Sequence, residues 1–469
     1  MTKQQELFKN AILLASSKAT TVIITFLMLP ILTRFLSTDE YGLVDLIVSY
    51  AMLVAPLATL QLELGVFRHL IDARGKQDEI KRVVTNAFDV VVWIVAVGVL
   101  ASIVVGVFTD IPLFALIVLY VVAAMLSSML SQIARGLGHN RAFAIANIIE
   151  VVIAAIVSIA LIVMFDMGAA GWLLGMSVAL LVRSAYLVAV NRLHVCYGPN
   201  CREKKMKKEL LKYSIPLIPN SIAWWAINVS NRTIITIVLG VAANGIFAVA
   251  SRFTAIFANI FNVFNMAWME SASLHIKGKD RDKFFSDVLD MMIKAFGSVI
   301  LLGIAGIPLV FNLLVDESFV SGYRYVPVLM IGVLLSGLIG FYSSVLIAEK
   351  QTKQVAITAS VAAVASVIVH LSLIWWLGLW AAAVATVVAY AVMIVHRAIC
   401  VRKYVKIKYN FKLMLGLGAC LALASFTYSV DILQLNLAVL AFAAIFATMV
   451  NWQSMQTMLR DIVKARKTN

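Results

Sequence analysis

Long apolar runs alternate with short polar segments along the whole chain. Most runs are roughly 18 to 25 residues long, the length that an α-helix needs to cross about 30 Å of hydrocarbon. The pattern therefore predicts about fourteen membrane-spanning helices. They are expected at residues 10–36, 41–65, 83–108, 112–134, 142–165, 171–193, 213–239, 244–270, 287–312, 325–348, 354–377, 379–400, 411–429 and 434–452.

The composition agrees with this pattern. Hydrophobic residues make up 62% of the 469 residues and charged residues only 13%, which is more apolar surface than a soluble core could bury. The chain is therefore predicted to be an all-α polytopic membrane protein. The first run, 10–36, is too long for the apolar core of a cleavable signal peptide and is interpreted as the first span.

Lysine and arginine are distributed unevenly between the two sides of the predicted membrane. With a cytoplasmic N-terminus, the inside segments hold 32 of them and the outside connections hold two, Arg34 and Arg324. Because positive residues in short loops stay in the cytoplasm, both termini are predicted to be cytoplasmic. The net charge of +15 lies in loops beside spans, so it predicts contact with anionic lipids and no nucleic-acid binding.

A basic segment separates two sets of six predicted spans. Tyr41-Gly42 and Asn244-Gly245 follow the first span of each set at the same spacing, 203 residues apart. Since each set has an even number of spans, the two sets enter the membrane in the same direction, as in parallel transporter repeats. The expected organisation is an N-terminal lobe at 1–195, a basic cytoplasmic linker at 196–212, a C-terminal lobe at 213–400, and a helix pair with a basic tail at 401–469.

Apart from the basic residues already assigned to the inside segments and outside connections, five remain inside predicted spans, where a charge costs at least about 2.5 kcal/mol. They are Lys18, Arg183, Arg232, Arg252 and Lys294. Glu150 lies at a depth similar to that of Arg183, so these two are expected to form an ion pair or to serve in coupling. No nearby carboxylate is evident for Lys18, Arg232 and Arg252. Together they predict a substrate site for an anion, most naturally a phosphate or diphosphate.

Asparagines accompany two of these cations. Asn220 and Asn231 lie on the same predicted span as Arg232, and Asn259 shares a helical stripe with Arg252. Such polar faces are expected to line a substrate cavity. The alternative is that the asparagines hold helices together, each contributing about 0.6 to 2 kcal/mol.

Two segments are similar to one known family. The sequence Leu-Thr-Arg-Phe-Leu-Ser-Thr-Asp-Glu-Tyr-Gly at 32–42, preceded by Lys18, and Phe-Asn-Met-Ala-Trp-Met-Glu at 264–270 resemble polysaccharide flippases of the MOP (MATE-like) superfamily. The family tends to carry basic residues at the positions of Lys18 and Arg252. The first of these is usually Arg, so Lys18 departs from the family and gives up bidentate phosphate binding.

The resemblance implies a Wzx-type flippase for O-antigen or exopolysaccharide repeat units. Such a protein translocates an undecaprenyl-diphosphate-linked oligosaccharide across the bacterial cytoplasmic (inner) membrane by alternating access, with the headgroup in a cationic cavity. Its expected partners are a polysaccharide polymerase and glycosyltransferases. It needs no cofactor.

Other functions remain open at this stage. A lipid II or teichoic-acid-type flippase or a MATE-type drug or cation antiporter would share the fold, and the antiporter would need a functional carboxylate, for which Glu150 is the candidate. A membrane glycosyltransferase or polymerase would need a catalytic loop outside the membrane, and the short outside connections argue against one. His194, Cys196 and Cys201 do not match a zinc spacing, so no metal is expected.

Overall fold

The computed structural model describes the backbone of residues 16–467; the side chains of residues 194, 220, 223, 224, 226–228, 453–455 and 457–467 are outside the described set. The helices are α1 Ser16–Phe35, α2 Thr38–Ala58, α3 Leu62–Asp72, α4 Gln77–Phe108, α5 Phe114–Gly136, α6 Asn140–Val163, α7 Gly168–Val190, α8 Lys204–Ser214, α9 Ile218–Leu239, α10 Val241–His275, α11 Arg281–Leu314, α12 Val326–Ala348, α13 Thr352–Leu377, α14 Leu379–Val401, α15 Phe411–Val430 and α16 Leu433–Lys467. A 3₁₀ segment, Glu317–Tyr325, precedes α12. Residues 16–467 contain no strand.

Thirteen helices in the described part of the chain are long and apolar enough to cross a membrane. They are α1, α2, α4 to α7 and α10 to α16. The prediction at 213–239 corresponds to α9, whose apolar stretch among the residues searched, Val229–Leu239, is shorter than a span. The predicted fold class, an all-α polytopic membrane protein, is confirmed.

The second predicted span, 41–65, is wrong at its end. α2 begins with a capping box in which the Ser37 amide donates to Glu40 Oε2 (3.0 Å) and the Glu40 amide donates to Ser37 Oγ (3.2 Å). It stops at Ala58, just after Pro56, and the backbone turns through left-handed conformations at Leu60 and Gln61 (φ 55° and 58°). The remaining residues begin the separate helix α3.

The basic segment 196–212 contains most of the helix α8, Lys204–Ser214. Leu210 and Ser214 are buried on its inner face, whereas Lys204, Lys205, Lys208 and Lys212 are exposed. The inner face packs on α3 and α4, and the approach to α3 is close because Gly65 has no side chain. A methyl group at Gly65 would collide with the hydroxyl oxygen of Ser214. An amphipathic helix therefore packs closely at Gly65, and the assignment of 196–212 as a basic cytoplasmic linker stays a prediction.

The chain divides into two compact units, Met1–Thr233 and Ile234–Asn469. Unit 1 has a core of aliphatic side chains from α3, α4 and α5, including Val66, Val84 and Leu130. Unit 2 has an aromatic core, in which Phe253 stacks on Phe311 with ring centroids 4.8 Å apart. The boundary between the units falls within α9, and the predicted lobes at 1–195 and 213–400 remain predictions.

The α6–α7 hairpin of unit 1 depends on a small residue at its contact. A Cβ atom at Gly175 would lie 2.7 Å from the backbone nitrogen and 2.8 Å from the Cα atom of Ser158. Neither backbone atom can move without shifting the whole of α6. Helices in a bilayer associate through this kind of close backbone approach, because lipid is as apolar as their side chains.

We expect Gly175→Ala to lower the thermal unfolding midpoint of the detergent-purified protein, because overpacking costs about 1 to 3 kcal/mol. Gly98→Ala is the matched control, since Gly98 is also in a helix and a Cβ atom added there would have no atom of another helix within 4 Å. The control should leave the midpoint unchanged or raise it slightly through helix propensity. Equal midpoints for the two variants would contradict the close α6–α7 contact.

Candidate functional site

Arg232, predicted to bind substrate as a cation with no nearby carboxylate, has a partner within unit 1. Its Nε atom lies 2.8 Å from Oδ2 of Asp45 on α2, and the two side chains are only 20% and 6% exposed. The sequence interpretation of Arg232 as unpaired is therefore wrong. Asp45 is near one end of its span and is distant from Arg232 in sequence, so only the packing of α9 on α2 brings the charges together.

Further contacts fasten the same stretch of α9 to α2. The Trp225 indole donates to the backbone oxygen of Ser49 (3.0 Å), and the hydroxyl groups of Tyr50 and Thr233 lie 3.0 Å apart. The rings of Tyr50 and Trp225 also pack, with centroids 5.6 Å apart. Positions 45, 49 and 50 lie along one face of α2. We call this set of contacts the α2–α9 seam.

Asn231 and Asn220 also belong to α9. Asn231 is buried, 7% exposed, beside the ion pair of the seam. The side chain of Asn220 lies outside the described residues. Of the three predicted substrate-binding residues on α9, the structure therefore places Arg232 in an ion pair and shows Asn231 to be buried. Both observations fit the alternative that polar residues hold helices together.

Glu150 and Arg183 form the ion pair expected from their matching depths. Arg183 Nη1 lies 2.5 Å from Glu150 Oε2, and Nη2 donates to the Ser131 hydroxyl (2.8 Å). The guanidinium carbon also lies 5.8 Å from the centre of the Phe143 ring. Arg183 thus joins α7 to α5 and α6. Ser131 and Phe143 gave no signal in the sequence, because a serine or phenylalanine in a span is ordinary.

Lys18, Arg252 and Asn259 are distributed over the two units. Lys18 on α1 is exposed, while nearby Thr21 and Thr25 satisfy their hydroxyl groups on backbone oxygens one turn back. In unit 2, Arg252 is half-buried on α10, and the Asn259 amide donates to the backbone oxygen of Ala255 (2.8 Å). An anion site that includes both Lys18 and Arg252 remains a prediction.

The segment 264–270 has a structural function that its sequence did not reveal. Asn265 Nδ2 donates to the backbone oxygen of Gly337 (3.2 Å), and the Trp268 indole donates to that of Phe341 (3.3 Å). A Cβ atom at Gly340 would collide with the Asn265 side chain. The two polar side chains of this motif therefore hold α10 against α12.

Arg397 is one of the 32 basic residues that the sequence assigns to inside segments, but the structure places it within the helix α14. It is 2% exposed, near the end of α14. Its guanidinium donates to the hydroxyl groups of Thr358 (2.9 Å) and Ser343 and to the backbone oxygen of Val355 (3.3 Å). Its place inside the predicted span 379–400 was the available signal for burial. Hydrogen bonds from α12 and α13 compensate its desolvation.

The helices are arranged as in solved transporters of the MOP superfamily. An inward-facing multidrug resistance MATE family transporter is 13% identical, with 82% of this chain and 95% of that chain covered and a TM-score of 0.65. The lipid II flippase MurJ, in an inward closed conformation, is 13% identical, with 96% and 100% covered and a TM-score of 0.65. These likenesses establish the fold.

The family is established by sequence. The family model described as "Polysaccharide biosynthesis protein" matches residues 7–269, more than half of the chain, and this chain belongs to that family. The match includes the motif at 32–42 and nearly all of 264–270, so the resemblance drawn from those segments is confirmed. No curated protein matches the chain significantly by sequence. The chain is therefore a multi-pass membrane protein of the polysaccharide biosynthesis family, with the fold of the solved MATE and MurJ proteins.

The α2–α9 seam makes a quantitative prediction. Arg232→Ala or Asp45→Ala alone should lower the free energy of unfolding by about 3 to 5 kcal/mol, because each leaves a buried charge without its partner. The double variant should lose much less than the sum of the two. A double-mutant cycle by thermal unfolding in detergent measures this coupling, with exposed Arg34→Ala as the control. Additive losses would contradict the pair.

Proposed function

We propose that this protein is a flippase that moves an undecaprenyl-diphosphate-linked oligosaccharide repeat unit across a bacterial cytoplasmic membrane for cell-surface polysaccharide synthesis. The observation that carries this proposal is the polysaccharide biosynthesis family match over residues 7–269 in a chain with the MOP transporter fold. The substrate is a lipid whose headgroup cannot cross hydrocarbon unaided, because its sugars and phosphates would lose their hydration. No covalent bond changes during this reaction.

Alternating access supplies the mechanism of this proposal. The headgroup enters a polar path through the protein while the polyprenyl chain stays in lipid, which removes most of the desolvation cost. Both termini are proposed to be cytoplasmic, so that the repeat unit is received from glycosyltransferases inside and handed to a polymerase outside. The unequal distribution of Lys and Arg between the two sides supports this orientation.

Lys18 and Arg252 are the residues proposed to bind the diphosphate. Lys18 presents an exposed ammonium group on α1, and Arg252 carries a half-buried guanidinium on α10. Arg232 is less suited to this role, because Asp45 already engages its guanidinium. Its proposed function is to hold the α2–α9 seam, and Asn259 is proposed to contribute hydrogen bonds along the sugar path.

The substrate is tested with the purified protein in proteoliposomes. We expect undecaprenyl-diphosphate oligosaccharide, placed in one leaflet, to become accessible in the other to a glycosidase that cannot cross the membrane. Lipid II and a fluorescent organic cation, offered separately, are the arms for the two alternative functions. Movement of lipid II alone, or of the cation alone, would replace the proposal with a lipid II flippase or a drug antiporter.

The proposed diphosphate contacts are tested by removing and restoring charge. Lys18→Ala and Arg252→Ala should each reduce transport about tenfold or more, since a charge-assisted hydrogen bond contributes about 1.5 to 3 kcal/mol. Lys18→Arg should keep transport, because it restores the cation. Arg34→Ala controls for loss of positive charge outside the proposed site. Full transport by both alanine variants would exclude these contacts.

A further inference from the structure

A cavity of about 1010 Å³ opens in unit 1 beside α4. Its wall is almost wholly apolar. Six of the lining side chains come from the α2–α3 turn, α4, the end of α7, the segment that follows it and α8: Leu60, Phe88, Trp93, Val188, Leu193 and Leu211. None of these residues belongs to the proposed diphosphate contacts or to the α2–α9 seam. The cavity is therefore separate from every feature assigned above.

The length of α4 indicates where the cavity lies relative to the hydrocarbon layer of the membrane. This helix has 32 residues, Gln77–Phe108, and is therefore about 48 Å long. The part without a charged residue, 90–108, accounts for about 28 Å, close to the thickness of the hydrocarbon layer. Asp89 thus stands at the boundary between hydrocarbon and headgroups, and the cavity extends from this boundary along the membrane part of the helix.

The outer face of α4 is left uncovered by the described residues. Only 6% of its most apolar stretch is buried inside the protein, the lowest share among the spans identified in the described chain. Trp93, which lines the cavity, is 68% exposed, and Val92 beside it is 58% exposed. The cavity is therefore open sideways to lipid chains, and its wall is made of the side chains that such chains would contact.

A ring of polar groups lies at the headgroup end of the same cavity. Arg202 Nε and Lys207 Nζ lie 2.9 Å and 3.0 Å from Oδ2 of Asp89, and the Tyr197 hydroxyl lies 3.3 Å from Oδ1. Arg202 also donates to the Tyr197 hydroxyl (2.8 Å). Hydrogen bonds with Tyr197 and Asp89 raise the pKa of Arg202, so its charge is permanent.

The charges of this ring of polar groups do not balance, and an excess of positive charge remains. Two cations face one carboxylate, which leaves a net charge of +1. The Arg202 side chain is 54% exposed and that of Lys207 33%, whereas Asp89 is 13% exposed. Because a guanidinium has five N–H donors and an ammonium three, both cations retain donors directed away from Asp89. One phosphodiester with a single negative charge would neutralise the site.

We propose that this cavity binds one anionic glycerophospholipid, with its phosphate at Arg202 and Lys207 and its acyl chains along Trp93 and Val92. A polyprenyl diphosphate matches less well, because it carries more negative charge than the ring can balance beside Asp89. The bound lipid would fix the segment between α7 and α8 to the membrane surface. This inference does not rest on the proposed transport activity and can fail or succeed independently of it.

The test uses the full-length protein in detergent and native mass spectrometry of lipid binding. We expect phosphatidylglycerol to bind more tightly than phosphatidylcholine, whose headgroup is neutral overall. The double variant Arg202→Ala/Lys207→Ala should weaken phosphatidylglycerol binding about tenfold or more. The matched control, Lys205→Ala/Lys208→Ala, removes two exposed lysines from the same helix and should leave the affinity of the site unchanged.

Two further variants separate a lipid site from a merely structural ion network. Asp89→Asn should strengthen phosphatidylglycerol binding severalfold, because it removes the competing carboxylate. A structural network predicts no such gain. Trp93→Ala, at an exposed position, should weaken binding without lowering the thermal unfolding midpoint.

Several outcomes would overturn the proposal. They are equal binding by the Arg202/Lys207 and Lys205/Lys208 double variants, equal binding of the two phospholipids, or no gain in Asp89→Asn. Displacement of phosphatidylglycerol by a small excess of undecaprenyl diphosphate would reassign the cavity to the polyprenyl lipid. If inorganic phosphate bound to the site as tightly as phosphatidylglycerol, the acyl chains would contribute nothing. The cavity would then be a phosphate site and not a lipid site.

Discussion

The cost of placing charge in hydrocarbon is the constraint on which much of this structure depends. Each ion pair or hydrogen-bonded cation described within the spans joins helices that are distant in sequence or adjacent in a hairpin. Asp45 and Arg232 join α2 to α9, Glu150 and Arg183 join α6 to α7, and Arg397 joins α14 to α12 and α13. Separating either pair at that depth would expose a charge without compensation, and the helices are held accordingly.

The remaining helix contacts depend on close approach. Lipid chains are as apolar as leucine, so the hydrophobic effect gives little reason for one span to prefer another span over lipid. Glycine at positions 175 and 340 lets a neighbouring helix approach until backbone or polar side-chain atoms touch. Asn265 and Trp268 then donate to backbone oxygens on α12. Small residues and a few directed hydrogen bonds thus supply the specificity that a soluble core obtains from apolar burial.

The basic residues fall into groups that differ in their contacts. Arg183, Arg232 and Arg397 have partners that make them part of the framework, whereas Lys18 is exposed on α1. Arg202 and Lys207 differ again, because both bond the single carboxylate of Asp89 at the membrane boundary. Each has further N–H donors that Asp89 does not engage. The cations proposed to bind a diphosphate or an anionic phospholipid are therefore different residues from those that fasten the helices together.

The sequence by itself determined the helical membrane class, nearly all of the spans and the family, because hydrophobic length and the motifs at 32–42 and 264–270 are local properties. It also anticipated the pair of Glu150 and Arg183, since both lie in adjacent spans of a hairpin. The tertiary structure alone decided that Asp45 partners Arg232, that α2 ends at Ala58, and that the basic segment forms α8 on Gly65. Such contacts depend on which helix faces pack together. Helix periodicity shows which residues share a face, but it does not specify which other helix packs against that face.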